Sequence, residues 1–101
     1  MWVIAMFDLP TDTKKARKAY TRFRKCLLED GFTMMQYSVY TRHCASIENA
    51  QAHVERMGAL VPSEGEVRFL TITDQQFGRI RTYVGKRRQP PTPSPSQLEF
   101  F

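Results

Sequence analysis

Residues 2–8, WVIAMFD, alternate with apolar side chains on both sides: Trp2, Ile4 and Met6 on one, Val3, Ala5 and Phe7 on the other. Such a run predicts a strand buried on both faces. Leu9-Pro10-Thr11-Asp12 reads as a turn leading to a helix N-cap at Thr11, Asp12 or Thr13. Residues 13–30 then follow helical spacing. Ala16, Ala19, Tyr20, Phe23, Cys26 and Leu27 gather on one side, and Gly31 stands where a helix C′ residue is expected. Residues 32–43 return to alternation and are rich in β-formers. The stretch is long enough for one bent strand or for two strands. Residues 46–61 resume helical spacing, with Ile47, Ala50, Val54, Met57 and Val61 as the apolar stripe. Ser46 suits the start of that helix, and Pro62 stops it. After a turn at 63–65, residues 66–73 predict a further strand, 74–80 a single helical turn, and 81–85 a short strand.

If residues 32–43 supply two strands, the order is βαββαβ. This predicts a ferredoxin-like α+β fold with both helices on one face of an antiparallel sheet. The first strand is apolar on its other face too, and no third long helix remains to cover it. A second copy of the sheet is the economical cover, so a homodimer with facing sheets is expected. The domain is expected over residues 1–88. Residues 89–97 read as a proline-rich linker, and 98–101 as an apolar terminal segment.

Charge adds a second pattern. The 101-residue chain carries a net charge of +5, distributed in blocks. Residues 11–30 hold seven Lys or Arg against three acids, 62–88 hold six against three, and 31–61 are balanced at two against two. A basic surface suits a polyanionic partner. No apolar run is long enough to span a bilayer and no signal sequence is visible, so a cytoplasmic protein with no membrane contact is expected. Cys26 and Cys44 form no CxxC pair, which argues against zinc.

Three features could carry chemistry. Asp8 ends the first strand just before a helix start, where it could cap the helix, stand solvated, or hold Mg²⁺. Lys14, Lys15, Arg17, Lys18, Arg22, Arg24 and Lys25 fill the polar side of the first helix, as a solvated face or a phosphate-tracking ridge. Lys86, Arg87 and Arg88 precede the linker as either a phosphate contact or a plain basic tail. His43 and His53 lack metal-ligand spacing and are expected at surface or half-buried positions. Tyr37 and Tyr40 are expected to pack within their strand rather than to stack on bases. No second carboxylate or obvious general base is expected to accompany Asp8 within the chain.

Four segments occur in order: MFDLPTDT at 6–13, KAYTRFRKCLL at 18–28, GFTMMQYSVY at 31–40 and LTITDQQF at 70–77. Together they closely resemble the CRISPR-associated Cas2 family, particularly the branch accompanying Cas9 effectors. The resemblance covers about residues 2–84. It implies a homodimer that bridges dimers of the CRISPR integrase subunit, Cas1, and supports double-stranded DNA through backbone contacts, which position a duplex without reading its sequence. Lys14, Lys15, Arg17, Lys18 and Arg22 are then candidates for that DNA surface. The family's terminal strand often adds to the partner's sheet, a role residues 98–101 could fill. Some members are metal-dependent nucleases for RNA or DNA, and the resemblance assigns the metal, and with it the catalytic role, to Asp8. Three readings stay open: an adaptor in spacer acquisition, an Mg²⁺-dependent endonuclease, and a regulatory module without nucleic acid.

Overall fold

The computed structural model describes residues 1–85. Lys86, Arg87 and Arg88, the linker at 89–97 and the segment at 98–101 lie outside the described residues. Four strands and two long helices alternate as β1 (Trp2–Asp8), α1 (Lys14–Glu29), β2 (Thr33–Gln36), β3 (Val39–His43), α2 (Ile47–Gly58) and β4 (Glu66–Ile72). A short helix, α3 (Asp74–Gly78), follows. The sheet order is β2-β3-β1-β4, with every neighbouring pair antiparallel. This is the ferredoxin-like βαββαβ arrangement expected from the pattern.

The helix ends are fixed by local chemistry. The Thr13 hydroxyl accepts from the Ala16 N–H at 3.0 Å, which satisfies one of the orphan donors of α1. At the other end Gly31 takes a φ of +92°, a backbone state that costs most residues dearly but not glycine. There the Phe32 N–H reaches Leu27 O at 3.0 Å and the Gly31 N–H reaches Leu28 O at 3.1 Å, which together make a Schellman closure. The stretch 32–43 resolves into two strands because Tyr37 and Ser38 turn between them.

Val3, Ala5 and Phe7 face the helices and are buried. The Phe7 ring lies 5.4 Å from Phe23 of α1, edge-on, and 5.6 Å from Tyr40 of β3, so one strand residue ties both elements to the core. Leu27, Ala50 and Met57 complete that layer. On the opposite face the strand register sets Trp2, Ile4 and Met6 beside Ile72, Leu70 and Arg68 of β4. α3 covers only one end of this face, where Phe77 stacks on Trp2 with ring centroids 3.7 Å apart. Leu70 is 48% exposed there, so much of the face has no cover within the described residues.

Three expectations are corrected. Residues 81–85 form no strand. His53 is buried rather than at the surface, because its Nδ1 meets Asp30 Oδ2 at 2.6 Å. Ile47, expected in the apolar stripe of α2, is 58% exposed, and His53 takes a place in the buried face instead.

Candidate nucleic-acid interface and metal site

α1 presents its cations as a continuous exposed ridge. Lys14, Arg17, Lys18, Arg22 and Lys25 line one shallow surface strip with Thr21 among them. At 1.5 Å per residue the ridge from residue 14 to 25 is about 16 Å long. Among the described residues its charges have few partners. Lys25 approaches Glu29 at 4.0 Å, and Arg17 donates to the Thr11 carbonyl at 3.1 Å. Arg24 is drawn out of the ridge, because its Nε donates to the Tyr40 hydroxyl at 2.6 Å. The structure therefore brings Lys14, Lys15, Arg17, Lys18 and Arg22 together on one exposed helix.

The placement of these charges runs against the helix itself. The first turn of α1 has no acid and the last turn no base, whereas Lys14 and Lys15 open the helix. Cations at a helix N-terminus oppose its macrodipole by about 0.3–1 kcal/mol each. A charge pattern selected for helix stability or solubility would be reversed, as it is in α2, which has Glu48 in its first turn and Arg56 in its last. In α1 the dipole and the side chains add to one positive potential, which favours an external anion.

Asp8 closes β1 on the uncovered face and is exposed. Antiparallel pairing sets it opposite Glu66, the first residue of β4. Glu66 is the second carboxylate that linear proximity missed, since it lies far along the chain. A β1–β4 pairing aligned on the alternation of the two strands would have found it. Glu66 is itself within 3.1 Å of Arg68, the next residue on the same face. The strand end is held on both sides. Gly65, with φ +89°, passes so close that a Cβ would lie 2.7 Å from the Asp8 carbonyl oxygen. On the other side Phe7 N–H donates to Ser38 O at 3.0 Å.

Among the described residues no three His, Cys, Asp or Glu converge as a metal cage. One protomer offers the Asp8 and Glu66 carboxylates only. Magnesium is commonly held by one or two carboxylates, with water and substrate phosphate completing its shell, so this sparse oxygen set suits that ion better than zinc or calcium. Tyr40 is 1% exposed and packs as expected, but Tyr37 does not: it is 90% exposed. No helix among the described residues is long and apolar enough to cross a membrane.

The comparisons with known proteins agree with this arrangement. Residues 1–80 match the family model described as CRISPR associated protein Cas2. A Parvibaculum lavamentivorans protein named CRISPR-associated endoribonuclease Cas2 is 82% identical over the full length of both chains. A Flavobacterium psychrophilum protein of the same name is 45% identical, covering all of this chain and 88% of the relative. In fold, the chain is similar to the crystal structure of Streptococcus pyogenes Cas2 at pH 6.5, with a TM-score of 0.64 and 20% identity over 83% of this chain and all of that one. With residues 1–80 matched by the family model and a relative 82% identical over the full length of both chains, the chain belongs to the CRISPR-associated Cas2 family.

Proposed function

We propose that this chain is a subunit of CRISPR adaptation that binds duplex DNA by its backbone and, as a homodimer, bridges dimers of the integrase subunit during spacer acquisition. The observation that carries this reading is the cationic ridge of α1, set against its own helix dipole and with few partners among the described residues. Lys and Arg side chains on a rigid rod meet phosphates at low entropic cost, and each contact releases condensed counterions. Contacts of this kind to phosphates position a duplex without reading its bases, which fits binding to any sequence. The uncovered apolar sheet face supports the pairing of two protomers.

A second reading, a metal-dependent endonuclease for RNA or DNA, is favoured by Asp8 and by the name its relatives carry. Asp8 would hold Mg²⁺, with Glu66 beside it and the same pair from a second copy nearby. The ion would neutralise phosphate charge and acidify a bound water. Asp8 itself does no more than bind and orient, and its exposure leaves room for a phosphate.

One titration separates the readings. Labelled duplex is bound by wild type, by Asp8→Ala and by a variant with Lys14, Lys15, Lys18 and Arg22 changed to Gln, with and without Mg²⁺ and the integrase subunit. The four-charge variant loses affinity for every duplex sequence alike. Its log–log salt slope shrinks by up to about 0.9 per side chain that contacts a phosphate. Asp8→Ala keeps duplex binding and integration but loses any Mg²⁺-dependent cleavage. Duplex affinity unchanged in the four-charge variant would sink the adaptor reading.

A further inference from the structure

Met1 is fastened to the sheet at the end of β1 remote from Asp8. Its carbonyl accepts from the Cys44 N–H at 2.7 Å, and its ammonium donates to the Cys44 carbonyl at 3.3 Å. These two bonds continue the β1–β3 pairing past Trp2 and His43. They pin the amino group beside His43, the last residue of β3, and Asp74, the first residue of α3. The Asp74 carboxylate joins the two. Its Oδ1 lies 2.6 Å from the Met1 nitrogen and 3.2 Å from His43 Nε2, and its Oδ2 lies 3.4 Å from the same ring nitrogen. Each partner is anchored separately. The His43 ring meets Trp2 edge-on at 5.1 Å, and a capping box between Thr73 and Gln76 fixes the start of α3. The His43 and Asp74 side chains are 53% and 64% exposed, so the cluster is open to solvent.

We propose that the Met1 amine, the His43 imidazole and the Asp74 carboxylate bind one divalent transition-metal ion of the nickel, copper or zinc kind. Two nitrogen donors and one oxygen donor suit such ions, whereas magnesium and calcium prefer oxygen throughout. Bonds of about 2.0–2.2 Å set neighbouring ligand atoms about 3–3.5 Å apart. That is close to the spacing already present, so only the amine–carboxylate pair has to open. Water completes the shell, and the ammonium releases a proton to solvent as the metal enters. Spacing along the chain cannot show this site, because its ligands stand at positions 1, 43 and 74. It lies about 20 Å from Asp8, six strand residues away, and is independent of the nucleic-acid reading. Its ligands come from three elements. A bound ion therefore ties α3 to the sheet, and with it Phe77 over Trp2 on the open face.

The test titrates Cu²⁺ into the full chain with a free Met1 amine, stripped beforehand with EDTA. Trp2 is the one tryptophan in the sequence and stands against His43, so a paramagnetic ion there quenches its fluorescence. Quenching saturates at one ion per chain. Ni²⁺ competes for the site and excess Mg²⁺ does not. His43→Ala, Asp74→Ala and a chain extended by Gly-Ser ahead of Met1 each bind Cu²⁺ at least about tenfold more weakly, the lower bound for losing even an outer-shell partner. Melts in EDTA check that each variant is folded. The wild-type Cu²⁺ EPR spectrum shows coupling to two nitrogens, a readout that needs no variant. Quenching that never saturates, unchanged affinity in His43→Ala or in the extended chain, displacement by Mg²⁺, or no nitrogen coupling would each overturn the proposal.

Discussion

Asp74 receives two partners from the far end of the sheet. Its Oδ1 accepts from the Met1 ammonium at 2.6 Å and lies 3.2 Å from His43 Nε2. The ammonium hydrogen bond is the main cause, and the His43 bond a lesser one, that holds the Asp74 carboxyl below its ordinary value of 3.8. A carboxyl lowered on folding contributes stability above the ordinary value and loses it as pH falls through the lowered one. Asp74→Asn is therefore expected to be less stable than wild type at neutral pH, with the gap closing only below about 3.8 in denaturant titrations over pH. Such partnerships across the fold were not legible in the sequence. Spacing placed His53 on α2 but could not bring Asp30 to it, although Asp30 also takes Arg56 at 2.6 Å. Alternation likewise put Tyr37 in a β-forming stretch, whereas its exposure depends on which two residues make the turn. Tyr40, three residues on, did pack as its pattern implied.

Elements with chemical punctuation were read well. Thr13, Gly31 and Ser46 mark helix ends through hydrogen-bonding or backbone properties that a single residue carries, whereas α2 ends at Gly58, short of the expected stop at Pro62. The break in 32–43 is not legible in the sequence, because no Gly or Pro marks it and Ser38, at a φ of +61°, is held by the distant Tyr20 hydroxyl. Residues 81–85 have β-forming side chains but no neighbouring strand to pair with among the described residues, and pairing is a property of two segments. Gly65 is where an element end and the candidate site meet. Gly65→Ala would bring a methyl group within 2.8 Å of Leu9 Cδ2 as well as against the Asp8 carbonyl, at a φ of +89°. It is expected to cost about 2 kcal/mol, read by chemical denaturation, and to blunt any activity that depends on Asp8. Wild-type stability in this variant would mean that the hairpin relaxes freely and does not position the strand end.

The molecule as a whole has one face built and one left open. The order of strands and helices was legible because each changes the hydrophobic period, and βαββαβ order with short connections leaves few topologies. The proposed pairing of protomers rests on the same economy. Leu70 opposes Ile4 in the register, in the middle of the open face. Leu70→Asp is expected to give a monomer by sedimentation at concentrations where wild type is a dimer. Its secondary structure should be unchanged, since the side chain is half in solvent already. A Leu70→Asp chain that remains dimeric would place the interface elsewhere.

β1 is central in the sheet, bonded to β3 on one side and to β4 on the other. It also precedes the other strands of its sheet along the chain, and its second neighbour begins only at Glu66. During synthesis the most apolar strand of the protein therefore waits with an open edge until most of the domain has been translated, and its closure spans long sequence separations. A message cut short before β4 would yield a product with that edge permanently bare, prone to pair with its own copies. Chaperone demand in the cell should accordingly fall on nascent or truncated chains rather than on the finished subunit.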